Sequence, residues 1–192
     1  MIRVGAHLLF GAFAWCAAVS WLHAQSAVTR KPAPATLPAQ VKLTGWQADF
    51  NGDGMLDFCQ IVTRSGFTGL TCKLARTSQN VASPNLDLGY PEGRSFVDFD
   101  GDGKQDYCRV VGNSSASAYL SCTMSEGTSF GPTLVSPLLD AGYPDTRQWR
   151  DVNSDRKADF CRVTGNYRDA LACTLSQGRV RPYFGRTVSS KR

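Results

Sequence analysis

Histidine is almost absent. The 192-residue chain has two, His7 and His23, and both lie in its first 24 residues. Those residues read as an export signal. Arg3 supplies positive charge, Leu8 to Trp21 is mostly apolar, and Leu22-His23-Ala24 precedes a cleavage point. The chain expected after cleavage has no histidine, which excludes a Ser-His-Asp triad, a Cys-His pair and any His-ligated zinc or iron. Acids are scarce too, 16 Asp+Glu against 21 Lys+Arg. Ten of the 16 crowd into three short loops, leaving Asp87, Glu92, Glu126, Asp140, Asp145 and Asp169 elsewhere. A glycosidase needs only two carboxylates, but most of those here have another use. The expectation is therefore a protein that is not an enzyme and has no catalytic residues. Past residue 24 no apolar run approaches the roughly 20 residues of a membrane helix, so no membrane span is expected in the mature chain.

What is present is a loop written three times. Asp49-Phe-Asn51-Gly-Asp53-Gly-Met55-Leu-Asp57 returns as Asp98-Phe-Asp100-Gly-Asp102-Gly-Lys104-Gln-Asp106, and again as Asp151-Val-Asn153-Ser-Asp155-Arg-Lys157-Ala-Asp159. Oxygen side chains fall at positions 1, 3, 5 and 9 of every copy. Carboxylates so close repel unless something balances them, and a hard cation taking six to eight oxygens, calcium, is the expected partner. An EF-hand is excluded: it needs Glu at position 12 and flanking helices, whereas position 12 is Gln60, Arg109 or Arg162 and a short β-branched and aromatic run follows. In the third copy Ser154 and Arg156 replace glycines, and Arg156 stands where the chain often needs positive φ. Weaker calcium binding is expected there.

Other features repeat with a period near 50, the mark of a repeat architecture. Leu86-Asp-Leu-Gly-Tyr-Pro91 returns as Leu139-Asp-Ala-Gly-Tyr-Pro144. Ser125-Glu-Gly127 leads to Phe130-Gly131, and Ser176-Gln-Gly178 to Phe184-Gly185. Past residue 24 six cysteines remain. Only pairing within each repeat, Cys59 with Cys72, Cys108 with Cys122 and Cys161 with Cys173, respects the threefold pattern without contacts between units. Folded as antiparallel hairpins, these pairs also set Ile61 opposite Leu70, Val110 opposite Leu120 and Val163 opposite Leu171. Strand alternation then turns Phe58, Tyr107 and Phe160 to one face and the cysteines to the other. A sheet apolar on both faces suits stacked blades.

The acidic loop running into a strand, the later Phe-Gly and the period near 50 resemble the FG-GAP/VCBS repeats of β-propeller proteins such as the heads of integrin α-subunits. The resemblance implies an all-β fold of three propeller-like blades; a threefold β-trefoil is the alternative. It implies metal ligation by Asp49, Asn51, Asp53 and Asp57, by Asp98, Asp100, Asp102 and Asp106, and in the third copy by Asp151, Asn153, Asp155 and Asp159. Backbone carbonyls of Met55, Lys104 and Lys157 would add to each set. The organisation expected is a signal over 1–24, a Pro/Ala linker over 25–40, and repeats over about 44–93, 94–146 and 147–188. Two arrangements of three blades are expected: a small body that closes alone, with Gln40 to Leu43 supplying the third repeat's outer strand, or an arc completed by self-association.

These expectations converge on a secreted or periplasmic, disulfide-stapled, calcium-binding module for binding or adhesion. Carbohydrate or an extracellular protein is the expected partner, with a structural spacer or an accessory domain of an extracellular hydrolase as the alternative. Trp46, Trp149, Tyr90, Tyr143, Tyr167 and Tyr183 are candidate stacking faces. Basic residues are scattered rather than clustered, which disfavours nucleic acid.

Overall fold

The structure is a computed structural model that describes residues 45–114 and 117–191. The expected signal segment, the expected linker and Gln40 to Leu43 lie outside the described residues.

Twelve strands form three four-stranded antiparallel sheets, each in sequence order. Unit 1 holds β1 (Trp46–Ala48), β2 (Asp57–Arg64), β3 (Phe67–Lys73) and β4 (Asn80–Ala82). Unit 2 holds β5 (Ser95–Val97), β6 (Asp106–Ser114), β7 (Ser117–Ser125) and β8 (Phe130–Val135). Unit 3 holds β9 (Gln148–Arg150), β10 (Asp159–Thr164), β11 (Ala170–Ser176) and β12 (Phe184–Lys191). Each acidic loop joins the first strand of its unit to the second. Three separate blade-like sheets replace the trefoil alternative. The outer strand of unit 3 is β12, so the place expected for Gln40 to Leu43 is filled from within the unit. Its residues, Arg186-Thr-Val-Ser-Ser-Lys191, look like a polar tail because they form a sheet edge.

The central hairpins have the expected register. Cys59 faces Cys72, Cys108 faces Cys122 and Cys161 faces Cys173, and all three pairs are disulfides. Ile61 lies opposite Leu70, Val110 opposite Leu120 and Val163 opposite Leu171. Each bridge closes a loop of 12 to 14 residues. In the chain-entropy account such a loop contributes about 3 kcal/mol. Replacing Cys108 and Cys122 together by serine is expected to lower unfolding free energy by about 2–5 kcal/mol, read by urea denaturation.

Alternation gives every unit a rear face, bearing the disulfide, and a front face, bearing the aromatic residue that precedes the first cysteine. The rear face of each unit packs on the front of the next. Ala48, Phe50, Leu70, Cys72 and Val81 of unit 1 bury against Phe96 and Tyr107 of unit 2. Phe99, Val110, Leu120, Cys122 and Leu134 bury against Phe160 and Phe184 of unit 3. Burying each such side chain contributes about 1.5–3 kcal/mol, so two interfaces rather than one central core hold the stack.

The Leu-Asp-x-Gly-Tyr-Pro segments are the hinges between units. Gly89 has φ 68°, and a Cβ there would lie 2.3 Å from the carbonyl oxygen of Val110; Gly142 has φ 63° and the same relation, at 2.4 Å, to Val163. Only glycine fits such an approach. Arg109 and Arg162, at position 12 of their repeats, hold these hinges. Their Nε atoms donate to the carbonyls of Asp87 and Asp140 at 2.6 and 2.8 Å, and their Nη1 atoms to Thr123 and Thr174 at 2.9 and 2.6 Å. Burial lowers the pKa of both guanidinium groups, that of Arg162 to about 10. The residue that an EF-hand would use for calcium is here an internal tie.

Candidate metal-binding loops

Each acidic loop is a tight turn wound around its own side chains. The position-1 carboxylate accepts from the N–H of position 6 in all three copies: Gly54 to Asp49 at 2.9 Å, Gly103 to Asp98 at 3.0 Å, and Arg156 to Asp151 at 2.8 Å. The position-5 carboxylate accepts from position 7, as Met55 to Asp53, Lys104 to Asp102 and Lys157 to Asp155. Asn51 and Asn153 accept from Asp53 and Asp155, and Asp100 from Asp102.

Positions 4 and 6 adopt positive φ throughout: 72° and 81° at Gly52 and Gly54, 79° and 87° at Gly101 and Gly103, and 63° and 66° at Ser154 and Arg156. The third copy therefore keeps the loop shape with residues that resist it. A non-glycine residue in this region costs roughly 1–2 kcal/mol. Arg156→Gly is expected to stabilise the protein by about 1 kcal/mol after glycine's own entropic cost is deducted. A shift in the urea midpoint at unchanged slope reads it; no shift would mean that the loop relaxes around Arg156.

Position 9 does more than the sequence suggested. Asp57, Asp106 and Asp159 are fully buried. One carboxylate oxygen of each accepts from position 2, at 3.0 Å from Phe50, Phe99 and Val152. The other accepts from Ala75, two residues past the third strand of unit 1, at 2.8 Å, and from Ser125 and Ser176, the last residues of the third strands of units 2 and 3, at 2.7 and 2.8 Å. These aspartates brace the corner of each blade. Burial, opposed by the Ser125 N–H and reinforced by Asp100 and Asp102, pushes the Asp106 carboxyl up to about 8. Burial also raises Asp159.

In the second loop, carboxylate oxygens of Asp98, Asp100 and Asp106 lie within 4.8 Å of one another. This is the one such trio among the described residues. Hard oxygen donors at that spacing fit a calcium ion, and each oxygen keeps a lone pair beyond the N–H bond it accepts. Asp49, Asp53 and Asp57, and likewise Asp151, Asp155 and Asp159, form no trio of this closeness among the described residues.

Cations of the chain itself meet these loops. Arg76 donates to Asp53 at 3.2 Å and Lys104 to Asp102 at 2.6 Å. Arg179, from unit 3, reaches the unit 2 loop, with Nε 2.5 Å from Asp100 and Nη1 2.7 Å from Glu126. The sequence reading missed Arg179, whose partner Asp100 lies 79 residues away. It also gave no role to the Ser-x-Gly element. The Ser125 hydroxyl donates to the carbonyl of Phe50, and Ser176 to that of Phe99 at 2.6 Å, each gripping the loop of the preceding unit.

The candidate stacking residues divide. Trp46 packs on Phe96 and Tyr107 between units 1 and 2, and Trp149 on Phe160 while donating to the carbonyl of Gly93. Tyr90 and Tyr143 donate to the carbonyls of Gly112 and Gly165, with Arg147 and Arg168 over their rings. Tyr183 has the Arg181 guanidinium over its ring. Tyr167 is 90% exposed.

No family model matches the chain. It is 33% identical over 124 residues to an NAD(+)–arginine ADP-ribosyltransferase, Chelt, of Vibrio cholerae. The match covers 62% of this chain, which spans about a fifth of that relative's length (20%). The expectation that the protein is not an enzyme is overturned here, because the relative is one. Scarce histidine bears on histidine-dependent chemistry alone. Three disulfides suit an extracellular or periplasmic setting, and no described helix is long and apolar enough to cross a membrane.

Proposed function

We propose that the chain is an exported, calcium-stabilised repeat module that binds carbohydrate or an extracellular protein. The observation carrying this reading is the Asp98, Asp100 and Asp106 trio, held within 4.8 Å at the corner between two strands. An ion there ties the loop to the buried brace at Asp106. Extracellular modules bind calcium with dissociation constants of about 0.1–1 mM, which suits a structural ion. Outside the loops basic residues far outnumber acidic ones, favouring anionic glycans. A glycan array probed in calcium and in chelator tests the reading. Chelator-sensitive binding of defined sugars supports it, and silence in both conditions counts against it.

A second reading rests on the relative: the chain serves arginine ADP-ribosylation, as a part of or partner to such an enzyme. Its test is transfer of label from NAD+ to an arginine substrate. The signal must grow with protein concentration and vanish on heating.

A further inference from the structure

The stack ends differently at its two sides. In units 1 and 2 the position-2 phenylalanine is covered by a phenylalanine of the next unit. Phe50 meets Phe130 at 4.7 Å between ring centroids, and Phe99 meets Phe184 at 4.8 Å. Both Phe50 and Phe99 are 0% exposed, whereas their counterpart in unit 3, Val152, is 39% exposed. The residue opposite the second cysteine behaves alike: Val81 and Leu134 are buried, and Val188 is 37% exposed. A groove of about 280 Å³ runs there, lined by Arg150, Val152, Leu171, Cys173 and Val188.

The backbone repeats the pattern. The carbonyl of Asp49 accepts from Gln105 at 2.9 Å, and that of Asp98 from Ala158 at 2.8 Å. Carbonyls of Phe50 and Phe99 accept from the serines of the next unit. Among the described residues the carbonyls of Asp151 and Val152 receive no such bonds. Unit 3 thus has an interface half whose other half is defined twice within the same molecule.

A second copy of the chain does not supply that half. Among the described residues its other end is the front face of unit 1, which carries Gln47 opposite Phe58 where units 2 and 3 carry Phe96 opposite Tyr107 and Trp149 opposite Phe160. Unit 1 also has Ala75-Arg-Thr77 in place of Ser-x-Gly, and no Phe-Gly follows. This is the polar outer face of a capping repeat. Unit 3 keeps the apolar half, with Arg150 where Ala48 and Val97 stand.

We propose that the rear face of unit 3 is an interaction surface for a fourth repeat unit of this class. That unit presents a Phe-Gly phenylalanine to Val152, a Ser-x-Gly hydroxyl to the Val152 carbonyl, and an oxygen acceptor to Arg150. The proposal is independent of calcium.

The probe is the full chain with residues 136–191 repeated after Ser189, so that the added unit follows unit 3 as unit 3 follows unit 2. Stability of such arrays is close to a sum of unit and interface contributions. One cooperative transition is expected, with Tm raised by about 5 °C or more. Val152→Asp with Val188→Asp in the inner unit 3 is expected to cancel that rise. The same pair in the natural chain is expected to change its Tm little. An added unit that melts separately, or a rise that survives the pair, overturns the proposal. A large loss in the natural chain does so too, by showing that residues 25–44 already cover the face. Sedimentation of the natural chain is expected to give a monomer. A dimer abolished by Val152→Asp would make a second copy the occupant and overturn the choice of partner.

Discussion

Asp106→Ala is expected to destabilise the protein strongly. Asp106 is fully buried and accepts two backbone N–H groups, from Phe99 at 3.0 Å and Ser125 at 2.7 Å. Alanine leaves both donors buried and unpaired. Each such loss costs about 1–3 kcal/mol, so roughly 2–6 kcal/mol is expected, a large part of the 5–15 kcal/mol that holds a typical domain together. Asp106→Asn retains one acceptor and is expected to lose less. The damage also reaches both interfaces: Ser125 grips unit 1 through the Phe50 carbonyl, and Phe99 packs against Phe184 of unit 3. Urea denaturation of both variants decides the matter. A loss below 1 kcal/mol for alanine would mean that water replaces the carboxylate, and that the brace is not needed.

The same residue sets a pH dependence. With its pKa raised to about 8 in the folded, metal-free protein and near 3.9 when unfolded, Asp106 binds its proton more tightly in the native state. Stability therefore falls as pH rises between those values. Metal-free protein is expected to melt at a higher temperature at pH 5 than at pH 8. Asp106→Asn, which cannot titrate, is expected to flatten that profile.

Much of this architecture is legible in the residues because its causes are local. Cysteines 12 to 14 apart, with apolar residues on both sides, allow one hairpin register, and that register forms. The positive-φ requirement at position 6 is readable from glycine in two copies, and it holds even where Arg156 replaces it. What escaped reading is long-range. Ser125 and Ser176 repeat visibly, yet their acceptors lie 75 and 77 residues away in another unit. Position 9 resembles a ligand in every copy; its second role depends on a backbone N–H 17 to 19 residues further on. Arg109 and Arg162 look like surface charges until the hinge carbonyls that they hold are in view. The interfaces themselves follow from the two apolar faces of each strand, but the open rear of unit 3 does not. Val152 is as apolar as the buried Phe50 and Phe99 at the same position, yet it is 39% exposed.

Calcium is expected to raise Tm, and the second loop is expected to account for most of the rise. Free ligand at 100 times its dissociation constant stabilises a one-site protein by about 2.7 kcal/mol. For a domain of this size each kcal/mol moves Tm by about 2–4 °C, so saturating calcium should add roughly 5–10 °C over EDTA. The ion must hold Asp98 and Asp106 ionised, against the burial that raises both. Binding therefore releases protons, and the gain over EDTA is expected to be larger at pH 8 than at pH 5. Asp98→Asn with Asp100→Asn removes two carboxylates of the trio while leaving the buried brace, and should abolish most of the gain. Asp151→Asn with Asp155→Asn in the third loop should leave most of it. Equal loss from both pairs would place the ion's effect in all loops alike. Identical melting of the natural protein in calcium and in EDTA would remove the ion from the account and leave the loops as turns held by their own backbone bonds.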